Sequence, residues 1–128
     1  MLFDTSVVID YLRGTDATAT DYVLGVIDGT PGFLSVITEA ELWVGIRDTR
    51  EAELVDALFS CFNIIPVNSG IAQQAGAMLQ RMNTSQIKAH FADALIAATA
   101  LEIGESILTA DGRSKLVFGN RVNYPVYR

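Results

Sequence analysis

Apolar positions along this chain follow two rhythms. Short runs, Met1-Leu2-Phe3, Phe33-Leu34-Ser35-Val36, Asn63-Ile64-Ile65-Pro66-Val67 and Ser106-Ile107-Leu108-Thr109, have the length and composition of strands, and Val122-Asn123-Tyr124 is a candidate last one. Between them the spacing is helical. Val7, Val8, Tyr11 and Leu12 share a face that ends at Gly14, and Tyr22, Val23, Val26 and Ile27 share another in a helix predicted over 15–27. Further helices are predicted from Thr38 to about Ile46 and over 50–62, with Leu54, Leu58 and Phe59 inward. A longer one, capped by Asn68 or Ser69, runs to about Met82. After a loop, a last helix covers 89–103, with Gly104 as its C-cap. Strands separated by helices require crossover connections, hence a parallel sheet covered on both faces. Sites in such sheets gather where loops leave the carboxyl ends of the strands.

Composition narrows the class. With 128 residues, half of them hydrophobic, the chain is expected to form one domain over 1–128 with a sizeable core. One cysteine cannot make an internal bridge, so Cys61 is expected to be a buried thiol. The opening Met1-Leu2-Phe3-Asp4 has no basic signal-like segment. The longest near-apolar stretch, 91–101, is too short for a membrane span and contains Asp93. A soluble, cytoplasmic protein without a membrane partner is expected. The net charge of −6 argues against holding nucleic acid by surface charge alone. It leaves room for a metal enzyme, in which a cation neutralises clustered acids. Arg113, Lys115, Arg121 and Arg128 all follow the last acid, Asp111, as a solvated face or a phosphate or partner contact.

Four acids fall where chemistry is expected. Asp4 follows the first strand, Glu41 lies a turn into the helix after the second, Asp111 follows the strand at 107–109, and Asp93 stands at the start of the last apolar helix. Each of the first three has a structural alternative. Asp4-Thr5-Ser6 can cap a helix, Thr38 to Glu41 fits a capping box, and Asp111-Gly112 is a turn signal. Asp93 is different, because its neighbours in Phe91-Ala92-Asp93-Ala94-Leu95-Ile96 are apolar on every side. A buried carboxylate costs several kcal/mol unless paired, and a first-turn dipole returns only about 0.3–1 kcal/mol. No Lys or Arg lies one turn away, so its partner is distant in sequence or is a metal. Carboxylates without paired Cys and His favour Mg2+, with Mn2+ as its substitute, over Zn2+. Such a metal suits phosphodiester hydrolysis and explains how an acidic protein acts on a polyanion.

Four stretches together resemble the PIN-domain family, and within it the VapC-type ribonuclease toxins of prokaryotic toxin–antitoxin modules. They are Leu2-Phe3-Asp4-Thr5-Ser6-Val7-Val8-Ile9-Asp10-Tyr11-Leu12-Arg13-Gly14, Ser35-Val36-Ile37-Thr38-Glu39-Ala40-Glu41-Leu42, and Ala92-Asp93-Ala94-Leu95-Ile96-Ala97-Ala98-Thr99-Ala100 followed by Leu108-Thr109-Ala110-Asp111. The resemblance implies a three-layer α/β/α sandwich around a parallel sheet and Mg2+-dependent cleavage of RNA. By position it makes Asp4 and Asp93 the principal metal ligands, Glu41 the third acid, and Ser6 or Thr5 a hydrogen-bonding support. It further implies a cognate antitoxin and a homodimer. The last segment departs from the family's Thr-x-Asn-x-x-Asp: Asp111 stands at the Asn and Ser114 at the second acid. Either Asp111 is a fourth catalytic carboxylate or the site has three.

The remaining candidates are plainer. Arg13 and Arg113 are candidate RNA contacts, and His90 a cap or RNA contact. Receiver, aspartyl-phosphatase and nucleotide-binding readings lack their required residues: no acid follows the strand at 63–67, Ser6 stands where a second Asp is needed, and no glycine-rich loop follows the first strand. The surviving alternative is a non-catalytic PIN-like interaction module, favoured by a mean hydropathy of +0.31.

Overall fold

The computed structural model describes residues 1–112. Strands and helices follow as β1 (Leu2–Phe3), α1 (Thr5–Arg13), α2 (Ala17–Ile27), β2 (Phe33–Ser35), α3 (Val36–Val44), α4 (Thr49–Phe59), β3 (Asn63–Ile65), α5 (Ser69–Leu79), α6 (Thr84–Ile103) and β4 (Ile107–Leu108). The four strands form one parallel sheet in the order β3-β2-β1-β4. The candidate strand at 122–124 and Arg113 lie outside the described residues.

Alternation along the short strands builds the three layers. Leu2 and Ile107 point to one face, where Ile71, Ala75, Met78 and Leu79 of α5 and Ala94, Ile96, Ala97 and Ala100 of α6 cover them. Phe3, Leu34 and Leu108 point to the other, under Val7 and Val8 of α1, Val23 and Val26 of α2, and Val55, Leu58 and Phe59 of α4. Both faces are apolar, so the strands read as continuous apolar runs, as buried parallel strands do. The expected α/β/α sandwich is therefore the observed one. Gly32, at the entry to β2, permits the tight approach of α2: a Cβ there would stand 2.6 Å from Val26 Cγ2.

Several boundaries differ from expectation, each for a local reason. β2 ends at Ser35 because its hydroxyl accepts from the Ile37 amide and starts α3 at once. Thr38 therefore lies inside the helix and caps nothing, and the predicted capping box with Glu41 is absent. α4 begins at Thr49, behind the Asp48 cap, and stops at Phe59. Cys61 then falls in the turn after it and is exposed, contrary to the buried thiol expected. The largest difference is α6, which starts at Thr84 instead of 89. The Asn83 side chain accepts from the Gln86 amide and Gln86 Oε1 accepts from the Asn83 amide, a complete capping box. Its other end is as predicted, at Gly104 with φ +70°.

The chain runs β1 to β2 to β3 outward on one side of β1, then returns to place β4 on the other side. The order of strands thus reverses at β1, and the crevice at the carboxyl ends of β1 and β4 is where such sheets hold ligands.

Candidate metal centre

Asp4 leaves β1 at that crevice and caps α1, so the structural and functional readings of this residue hold together. It is 4% exposed. The Thr5 amide donates to Asp4 Oδ1 at 2.9 Å, and Oδ2 accepts from Thr109 Oγ1 at 2.7 Å and from Ser6 Oγ at 3.1 Å. Burial nonetheless holds the Asp4 carboxyl above its usual pKa, against the lowering by these donors, and the charge of Asp111 adds to the rise. Ser6 Oγ also accepts from the Ala110 amide at 3.1 Å, which ties α1 to the loop after β4.

Glu41 reaches the site from α3. Its surface is open, but Oε1 accepts from Thr5 Oγ1 at 2.8 Å. Desolvation of the head raises its pKa, the Thr5 bond opposes this, and the charge of Asp4 raises it again. Thr5 thus touches two acids, Asp4 through its amide and Glu41 through its hydroxyl.

Asp93 arrives from the opposite layer. It is not at a helix start, as the sequence suggested, but in the middle of α6, where no N-terminal dipole reaches it. Burial pushes its pKa up to about 6; the charges of Asp4 and Glu41 raise it and His90 lowers it. His90, one turn earlier and expected only as a cap or RNA contact, is a local partner: its Nδ1 lies 3.4 Å from Asp93 Oδ2. His90 is therefore a side chain of the α6 interior and not a cap.

The charge of Asp4 raises the pKa of both Glu41 and Asp93, and that of Glu41 raises Asp93 further, yet each acid is held by its own polar partner. Among the described residues, no three acid, His or Cys side chains stand close enough to enclose a cation. The acids lie within electrostatic reach of one another and not in contact. Their donor set, carboxylate and hydroxyl oxygen, suits a hard divalent cation, which keeps several waters and is held through one or two carboxylates. Asp111 is half-buried, and its amide donates to Thr109 Oγ1 at 3.0 Å, so it stands at the rim beside Asp4.

Arg13 does not join this cluster. It lies exposed at the end of α1 and lines a groove of about 530 Å³ between α1, α3 and α4 with Ile9, Leu12 and Leu54, where Glu41 is also found. Two threonines that the sequence did not place among the site residues stand beside the acids. Thr109 is the residue after β4, and the register that pairs Phe3 with Leu108 sets it opposite Asp4. Thr38 lies one turn before Glu41 on α3 and contacts Thr5 Oγ1 at 3.0 Å. The strand register is the signal that points to Thr109, and the three-residue helical spacing the one for Thr38. Among the described residues no helix is long and apolar enough to cross a membrane.

Comparison with known proteins identifies the family and the fold. The family model described as "PIN domain" matches residues 1–117. Ribonuclease VapC10 of Mycobacterium tuberculosis is 38% identical over 100 residues, covering 78% of this chain and 74% of that protein. Ribonuclease VapC19 of the same species is 32% identical over 112 residues, 88% of this chain and 89% of that protein. A toxin–antitoxin complex from Klebsiella pneumoniae contains a chain that superposes with a TM-score of 0.70 at 28% identity, covering 89% of this chain and 88% of that one.

Proposed function

Because this chain belongs to the PIN-domain family, we propose that it is an endoribonuclease, the toxin of a toxin–antitoxin pair, which hydrolyses RNA phosphodiester bonds at the acidic edge of its sheet. The observation that carries the reading is the convergence of Asp4, Glu41 and Asp93, three acids from separate elements whose carboxyl groups desolvation pushes above their ordinary pKa, with the charge of a neighbouring acid adding to each rise. A fold has no structural use for such a set. A cation that neutralises it turns the cost into binding.

Dependence on a divalent cation is general to PIN ribonucleases, and the oxygen donors favour Mg2+, with Mn2+ as its substitute. When bound, the ion supplies Lewis acidity at a phosphoryl oxygen and lowers the pKa of a water. Asp4 and Asp93 are its ligands in this reading, and Glu41 completes the acidic wall. Thr109 and Ser6 hold Asp4 Oδ2 in place, and Thr5 spaces Asp4 from Glu41. Asp111 adds negative charge at the rim, and we keep it as the fourth catalytic acid. Arg13, which lines a groove with Glu41, and Arg113 are candidate phosphate contacts.

The same reading makes residues 1–128 one domain of a cytoplasmic protein with an antitoxin partner and a second copy of itself. The Klebsiella complex supports the antitoxin. Exposed Leu12, Trp43, Val44 and Leu54 supply apolar surface for a protein partner. The alternative, a non-catalytic PIN-like module, would use that surface and leave the acids idle. Asp93→Asn separates the two. RNA cleavage in Mg2+ should fall by about 10²–10³-fold with circular dichroism unchanged. Wild-type cleavage by this variant would remove Asp93 from the site and the nuclease reading with it.

A further inference from the structure

We propose that Thr38 is a positioning residue of the acidic site, acting on the Glu41 carboxylate through the hydroxyl of Thr5. The inference rests on the nuclease reading above and extends it to a residue that touches neither cation nor RNA.

Proton counting gives the direction of the chain. A threonine hydroxyl carries one proton. That of Thr5 goes to Glu41 Oε1 at 2.8 Å, so in the 3.0 Å contact with Thr38 the Thr5 oxygen accepts and Thr38 donates. The line therefore runs Thr38 O–H to Thr5 O–H to Glu41 Oε1, each bond polarising the next. It ends on an acceptor, so it matches the ionised form of Glu41. Thr38 is 0% exposed and on α3, whereas Thr5 opens α1 beside Asp4. The hydroxyl line thus fastens the helix that carries Glu41 to the helix capped by Asp4. It also sorts the two oxygens of Glu41: Oε1 is engaged, and Oε2 takes no hydrogen bond from a described residue.

A buried threonine that served only packing would be replaceable by valine, which has its shape without the hydroxyl. Here valine removes the first donor of the line, so the Thr5 hydroxyl loses the bond that orients and polarises it and holds Glu41 Oε1 less firmly. Serine keeps the donor and loses only a methyl group.

The test is a cycle of Thr38→Val, Thr38→Ser, Glu41→Gln and the Thr38→Val/Glu41→Gln double variant. It is read by calorimetric Mn2+ affinity, by kcat and KM on RNA, and by melting temperature. Thr38→Val should weaken Mn2+ binding and lower kcat about tenfold with KM unchanged. Thr38→Ser should return both to within about twofold of wild type, and in the Glu41→Gln background Thr38→Val should change Mn2+ affinity by less than about twofold. Wild-type Mn2+ affinity and kcat in Thr38→Val would overturn the proposal. So would failure of serine to rescue, or an equal loss with and without Glu41. Should valine unfold the protein, Thr38→Ala takes its place in the same cycle. Failure of the nuclease reading looks different: Asp93→Asn and Glu41→Gln would then themselves bind Mn2+ as wild type does.

Discussion

At the scale of single residues, the site is a set of charges held at a cost to the fold. Asp93 makes the point most directly, since its carboxyl titrates near 6 instead of 3.8. The folded state therefore keeps the proton that the unfolded chain releases. In metal-free buffer stability falls as pH rises from about 4 to about 6, and above 6 the full penalty is in force. At about 1.4 kcal/mol per pKa unit, and with allowance for its residual solvent contact, this is about 1–2 kcal/mol. Asp93→Asn should accordingly be more stable than wild type by about that amount at pH 7.5 without metal, and no more stable at pH 4, as urea melts will measure. Asp93 was legible in the sequence because a charged residue among apolar neighbours is an anomaly in any pattern. Thr38 and Thr109 were not, because a threonine suits a strand end or a helix turn equally well, and only register and packing reveal what its hydroxyl faces. Cys61 was misread for the complementary reason: its apolar neighbours predict burial, but the helix stops two residues earlier and turns the thiol outward.

At the scale of elements, the sequence marks interiors well and edges poorly. The alternation that sends Leu2 and Phe3 to opposite layers, and the helical spacing of Val7 and Val8, come from burial, which the pattern records. Helix starts come from side-chain caps, and these compete. Ser35 wins the start of α3 over Thr38 because the strand hands over to the helix without a loop. α6 starts five residues early because its first turn, Thr84-Ser85-Gln86, is solvent-facing and carries no apolar rhythm, although Asn83 and Gln86 spell the capping box. That box should be worth about 1 kcal/mol. Asn83→Ala should lower the urea midpoint accordingly, yet leave RNA cleavage at 25 °C unchanged, since Asp93 lies well inside the helix beyond any fraying. A parallel loss of cleavage would mean that order at the start of α6 reaches the acids.

At the scale of the whole molecule, an acidic protein with an acid-lined crevice must reconcile its charge with a polyanionic substrate. The parallel sheet sets the terms, because strand order reverses at β1 and the connections that leave β1, β2 and β4 do so at one edge. Asp4 and Glu41 descend from two of these connections, the third carries Thr109 and Asp111, and Asp93 enters from the layer behind. No single element carries the site, so its charges come together only in the folded state. A cation that binds them therefore stabilises the fold by mass action, about 2.7 kcal/mol at a hundred times its dissociation constant. For a chain of this size that is about 10 °C in melting temperature. Protons compete for the same oxygens, and Asp93 holds its proton up to about pH 6. Mn2+ should raise the melting temperature strongly at pH 7.5 and little at pH 5, and chelation should abolish both the rise and RNA cleavage. Asp93→Asn should flatten the metal dependence at both pH values while starting from the higher metal-free melting temperature. Opposite signs for one substitution, fold strengthened and metal response lost, follow if the cost of burying Asp93 beside Asp4 and Glu41 is what the cation relieves. A variant that lost both stability and metal response would instead mark Asp93 as an ordinary structural residue of α6.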